Sequence, residues 1–113
     1  MNRPALRIVL VCGAIFIAIA PSRAGDRLER TLRNLEPETR LVQICNIETI
    51  NRVGRDKNPY HPDRAVIDAL SPPRIIGDLV EGTGGAFRSG GTWYRFSYSC
   101  TTSPDHMRVV SFS

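Results

Sequence analysis

Apolar residues are spread along this chain in three different ways. Ile8 to Ala20 form an unbroken apolar run that Pro21 ends. Residues 26–54 scatter Leu, Ile and Val among charges, at spacings close to a helical period. Residues 75–113 change character, to Gly, Ser, Thr and aromatic side chains in alternation. Helical pattern first and strand pattern after it predict an α+β domain.

The first half of that domain reads as two helices. Asp26 is placed to cap a short helix reaching about Leu35. Pro37 suits the first turn of a second helix, and Glu36 and Glu38 are favourable near its N-terminal dipole. This helix is expected to run to about Val53 and to end at Gly54. Leu41, Ile44 and Cys45 share one face at i, i+3, i+4 spacing, while Ile47 and Ile50 lie off it, so burial on more than one side is expected. The stretch Arg55 to Asp63 is a loop rich in turn residues. Arg64 to Leu70 fits either a short helix or a strand, and Ser71-Pro72-Pro73 stops it.

The second half reads as an antiparallel meander of three to four strands. From Thr92 to Thr102 the alternation is regular: Tyr94, Phe96, Tyr98 and Cys100 on one face, Trp93, Arg95, Ser97, Ser99 and Thr101 on the other. Gly90-Gly91 is a two-residue hairpin turn. Counting back from it sets Ser89 against Thr92, Phe87 against Tyr94, and Gly85 under the Phe96 ring. The run Gly82-Thr83-Gly84-Gly85 lacks the lysine and following helix of a phosphate loop and reads as a bulge. Pro104-Asp105 is expected to turn the chain again, with Met107 against Thr102 and Val109 against Cys100.

The apolar run changes the picture of charge and compartment. Arg3 and Arg7 precede it, and Ser22 and Ala24 put small residues at −3 and −1. Residues 1–24 therefore read as a signal peptide cleaved after Ala24, and the run of Ile8 to Ala20 is shorter than the ~20 residues of a comfortable membrane span. Cys12 is not a lipidation site, since Val11 precedes it and the apolar run continues beyond. Cleavage leaves residues 25–113 as a single small domain. The whole chain carries +4, but Arg3, Arg7 and Arg23 fall in the signal. What remains is nearly neutral, so a nucleic-acid footprint is absent, and no membrane association is expected after cleavage. A periplasmic or secreted location follows.

Export also bears on the cysteines. Cys45 and Cys100 remain after cleavage, and an oxidising compartment favours a disulfide between them over two reduced thiols or a metal pair. Such a bridge would staple the second helix to the central strand. On the chain-entropy account a loop of this length contributes roughly 4 kcal/mol, a substantial share for so short a domain.

Candidate chemistry is sparse. His61 and His106 each sit beside an acid in a turn, and two such turns brought together would offer a metal four groups. No spacing requires that, and surface histidines are the simpler reading. No serine lies in Gly-x-Ser-x-Gly. No catalytic residue, metal or cofactor is assigned, and the chain is not expected to be an enzyme. Tyr60, Trp93 and Arg95 are the candidate contact patch, being residue types enriched at binding hot spots. The competing reading covers Trp93 with a helix or loop.

The segments Leu35-Glu36-Pro37-Glu38-Thr39-Arg40-Leu41-Val42-Gln43-Ile44-Cys45, Pro62-Asp63-Arg64, Gly85-Ala86-Phe87-Arg88-Ser89, Trp93-Tyr94, Ser99-Cys100-Thr101 and Pro104-Asp105-His106 through Ser111-Phe112 together resemble the domain-of-unknown-function 930 family. The resemblance implies a small exported protein of Gram-negative bacteria and implies no activity. It also implies a short segment beyond the position of Phe112, which this sequence does not carry. The expected function is a non-enzymatic binding or envelope-support domain, with an envelope protein or cell-wall component as partner. A small metal- or ligand-binding domain, a weak hydrolase using the histidines, or an inhibitor presenting residues 55–63 or 82–91 is the alternative.

Overall fold

The computed structural model describes residues 23–113. The expected signal segment lies outside the described residues, apart from Arg23 and Ala24, which open the first helix. Helix α1 spans Arg23–Arg33 and helix α2 spans Pro37–Arg55. Five strands follow: β1 Pro62–Val66, β2 Arg74–Ile76, β3 Leu79–Ser89, β4 Thr92–Thr102 and β5 Val109–Phe112. The fold is α+β, with the helices on one side of a curled antiparallel sheet.

The helix boundaries depart slightly from expectation. Asp26 lies in the first turn of α1 and does not cap it. Gly54 lies inside α2, which ends when Asp56 turns extended and its N–H returns to the Arg52 carbonyl. Pro37 starts α2 as expected, because its missing N–H is one the first turn leaves unbonded in any case.

The sheet order is β1-β3-β4-β5, and β2 also pairs with β3. β1 takes the Ala86–Ser89 end of β3 and β2 takes the Leu79–Glu81 end. Two short strands thus lie end to end along one edge, and the region left open between helix and strand starts as strand β1. The hairpin register is as the Gly-Gly turn requires: Ser89 against Thr92, Phe87 against Tyr94, Gly85 against Phe96. Gly90 and Gly91 both have positive φ, 58° and 78°. A bulge falls between Gly82 and Gly85. The rings of β4 need the bare backbone there. A Cβ on Gly85 would sit 2.6 Å from the Phe96 ring, and one on Gly82 would sit 2.8 Å from the Tyr98 hydroxyl.

The last turn corrects the expected register. Val109 opposes Thr102, and Phe112 opposes Cys100, with a shift between Thr101 and Thr102. The turn is wider than Pro104-Asp105 alone. The Ser103 N–H donates to the Arg108 carbonyl at 2.9 Å, and the Ser103 hydroxyl reaches the Asp105 carboxylate at 2.6 Å. His106 adopts φ 57° inside it, with the Pro37 carbonyl 2.8 Å from Nδ1 and Asp78 Oδ1 3.0 Å from Nε2. The bulge brings both Val109 and Phe112 onto the core face, where they pack against the central cluster.

That cluster is Leu41, Cys45, Ile67, Val80, Tyr98 and Cys100, all nearly inaccessible. Cys45 and Cys100 form the expected disulfide, with Cα atoms 6.2 Å apart, and both are fully buried. Ile47 and Ile50 are half-buried and line a hollow between α2 and β1, so α2 is indeed covered on more than one side. Thr49, also fully buried, returns its hydroxyl to the Cys45 carbonyl at 2.9 Å and leaves no donor unpaired.

Candidate functional site

The structure divides the expected contact patch between the two faces of the sheet. Tyr60 lies on the inner face, its ring 5.2 Å from Phe87 and 4.7 Å from Tyr94. It closes one end of a continuous row of rings, Tyr60, Phe87, Tyr94, Phe96 and Tyr98. The loop carrying it meets the sheet at Tyr60 and His61. The Asn58 carboxamide caps Val53 and receives the Tyr60 N–H, and the His61 N–H donates to the Ser89 hydroxyl. Trp93 and Arg95 point the other way, with α1 and α2 behind the opposite face.

On that outer face Trp93 is 47% exposed. Register places Arg64, Arg88 and Trp93 side by side across β1, β3 and β4, with Val66, Ala86 and Arg95 in the next row. The Arg88 guanidinium stands 5.8 Å from the centre of the Trp93 ring. The same guanidinium is gripped by Asp63 at two points, Nε to Oδ1 at 2.9 Å and a terminal nitrogen to Oδ2 at 3.0 Å. This forked pairing fixes a plane as well as a distance. Hydrogen bonding from Arg88 holds the Asp63 carboxyl below its ordinary range, and Asp63 in turn raises Arg88. Arg95 donates from Nε to the Thr83 carbonyl at 2.9 Å, across the bulge. Three arginines and an indole therefore occupy one corner of an open sheet face, two of the arginines held by hydrogen bonds.

Arg88, Asp63 and Arg64 belong to this corner and were not among the expected contact residues. The hairpin register already sets Arg88 against Trp93, so Arg88 was within reach of the sequence pattern. Asp63 and Arg64 depended on recognising β1, a strand of only five residues with a bulge of its own.

A second feature lies where β1 ends and β2 has not begun. Ser71, Pro72, Arg74, Glu81, Gly82, Thr83, Ser97 and Tyr98 line a cleft of ≈ 460 Å³ there. Tyr98 is 5% exposed, and its hydroxyl has no hydrogen-bond partner among the described residues. Burial, with a smaller contribution from the Asp68 charge, pushes its pKa up to about 12. The folded state thus holds this proton more tightly than the unfolded chain, whose tyrosine titrates near 10. The stability that depends on the proton is complete below pH ~10 and is lost as pH rises from there through about 12. Tyr98→Phe is expected to flatten that alkaline limb in pH-dependent urea unfolding. At pH 7 it should change stability by less than about 1 kcal/mol, because no internal hydrogen bond is lost. A larger loss at pH 7 would mean that the hydroxyl is bonded after all.

The two histidines do not meet. His61 sits beside Ser89 at the Gly-Gly end of the β3–β4 hairpin, and His106 sits beside Asp78 at the other end. The eleven residues of β3 between those ends span more than 30 Å at ~3.4 Å each, far beyond what one metal bridges.

Residues 32–113 match the family described as Domain of Unknown Function (DUF930), and the chain belongs to that family. No curated protein and no solved structure matches it. Pro62-Asp63-Arg64, Trp93-Tyr94 and the Arg88-Ser89 end of Gly85-Ala86-Phe87-Arg88-Ser89, from segments that carry the resemblance, meet at the outer corner of the sheet.

Proposed function

We propose that this member of the DUF930 family is an exported, non-enzymatic binding domain of the cell envelope, and that it binds through the outer face of its sheet. The observation that carries this reading is the exposed Trp93 ring held beside a guanidinium that Asp63 already fixes. Trp and Arg are the residue types enriched where binding energy concentrates. Holding Arg88 in place beforehand lowers the ordering cost of that contact. Export is supported by the signal-like N-terminal segment and by a buried disulfide, a bond kept in oxidising compartments.

Two measurements test the reading. The full chain is expressed in a Gram-negative host and recovered as the host leaves it. N-terminal sequencing is expected to begin at Gly25 in a periplasmic or culture fraction, and retention in the cytoplasm would contradict export. The recovered protein should co-sediment with washed envelope fragments. Trp93→Ala should abolish this while moving the unfolding free energy by less than about 1 kcal/mol, as for an exposed side chain outside the core. Undiminished co-sedimentation of the variant would remove the outer face from the account.

A further inference from the structure

We infer that the outer face of the sheet binds an acidic polysaccharide, taking sugar rings on Trp93 and carboxylates on Arg64 and Arg95. The inference rests on the binding-face reading above and names the chemistry of the occupant.

Charge points to an anion. Arg64, Arg74, Arg88 and Arg95 fall on this face by register, against Asp63 and Glu81. Asp63 is committed to Arg88. Arg64 and Arg95 make no ion pair among the described residues, and both are exposed. The Asp63–Arg88 pair shows in place how a guanidinium on this face receives a carboxylate, through two parallel hydrogen bonds. The two unmatched guanidinium groups lie on β1 and β4, two strands apart and one row offset. A carboxylate-bearing chain can engage both only by crossing the face.

The remaining groups point to a carbohydrate. Trp93 offers a flat apolar surface of the kind on which the C–H face of a pyranose stacks. Along β4 the same face continues as Ser97, Ser99 and Thr101, and Ser111 stands beside Thr101 on β5. Hydroxyls repeating every second residue, ~6.8 Å apart, suit a chain that itself presents hydroxyls at every unit.

Trp93 is the only tryptophan in the chain, so its emission reports occupancy directly. The full chain, recovered as the host processes it, is titrated at low salt with sodium polygalacturonate, with polyglutamate of equal charge, and with neutral dextran. Polygalacturonate is expected to shift the emission saturably and to bind at least about tenfold more tightly than either control. Raising the salt should weaken it, because the charges are exposed. The double variant R64E/R95E should lose about tenfold or more while keeping its unfolding midpoint. Equal binding by polyglutamate would overturn the inference in favour of an acidic protein, and equal binding by dextran would remove the arginines from it. No binding of any polymer, with envelope co-sedimentation still dependent on Trp93, would overturn the polysaccharide and leave the binding face standing. Loss of that dependence as well would end both.

Discussion

Replacing both bridge cysteines, as C45A/C100A, is expected to lower the unfolding free energy by about 4 kcal/mol. The two cysteines stand 55 positions apart in the chain, and on the chain-entropy account the unfolded chain regains roughly that much freedom when the link is cut. Alanine is the better substitute because both sites are fully buried, where a serine hydroxyl would add its own penalty. For a domain of this size each kcal/mol moves Tm by ~4–8 °C, so the loss should exceed about 15 °C in thermal circular dichroism. Both sulfurs are inaccessible and lie inside the cluster of Leu41, Ile67, Val80 and Tyr98. Reductant should therefore open the bond slowly in native buffer and quickly in urea. A variant melting within about 5 °C of the wild type would show that packing alone holds α2 to β4.

Arg40→Ala should cost about 2–3 kcal/mol and should undock one element selectively. The Arg40 guanidinium donates to four carbonyls in three places: Leu32 at 2.8 Å and Arg33 at 3.0 Å in α1, Leu35 at 3.0 Å in the connection, and Asp105 at 2.9 Å in the β4–β5 turn. The last carbonyls of a helix have no partner within it, and a cation there also meets the negative end of the dipole. Apart from this side chain, α1 is anchored mainly by Leu32, 3% exposed. Hydrogen exchange should therefore quicken in Arg23–Arg33 while β3 and β4 stay protected. Arg40→Lys keeps the charge but not the planar fork, and should recover less than half of the loss. Unchanged protection of α1 in the alanine variant would mean that Leu32 suffices.

The parts of this fold legible in the sequence are those with a short repeat. Two-residue alternation sorted Tyr94, Phe96, Tyr98 and Cys100 from Trp93, Arg95, Ser97 and Ser99, and the Gly90-Gly91 turn then set the β3–β4 register back to Gly85, beyond which the bulge shifts it. Reading residues 1–24 as a signal peptide leaves Cys45 and Cys100 as the one expected pairing. The β4–β5 register was not legible, because Ser103, Asp105 and His106 widen that turn through hydrogen bonds to Arg108, Asp78 and Pro37, partners far from it in sequence or hidden from any periodic pattern. The grouping of Tyr60 with Trp93 failed for a related reason. Both are exposed-looking aromatic residues, and only the folded loop shows that Tyr60 caps the inner row of rings.

By itself, then, the sequence determined which residues of β4 face the core, where the hairpin turns, and which two cysteines can join. Each depends on neighbours one to four positions away, or on a count. Only the tertiary structure decided that β1 and β2 share one edge of β3, and that Arg40 ties α1 to the final turn. It alone brought Asp63, Arg64, Arg88, Trp93 and Arg95 to one open corner. Those arrangements come from side chains meeting backbone across large sequence separations. The energy that selects them exists only once the sheet has curled and α2 has covered its inner face.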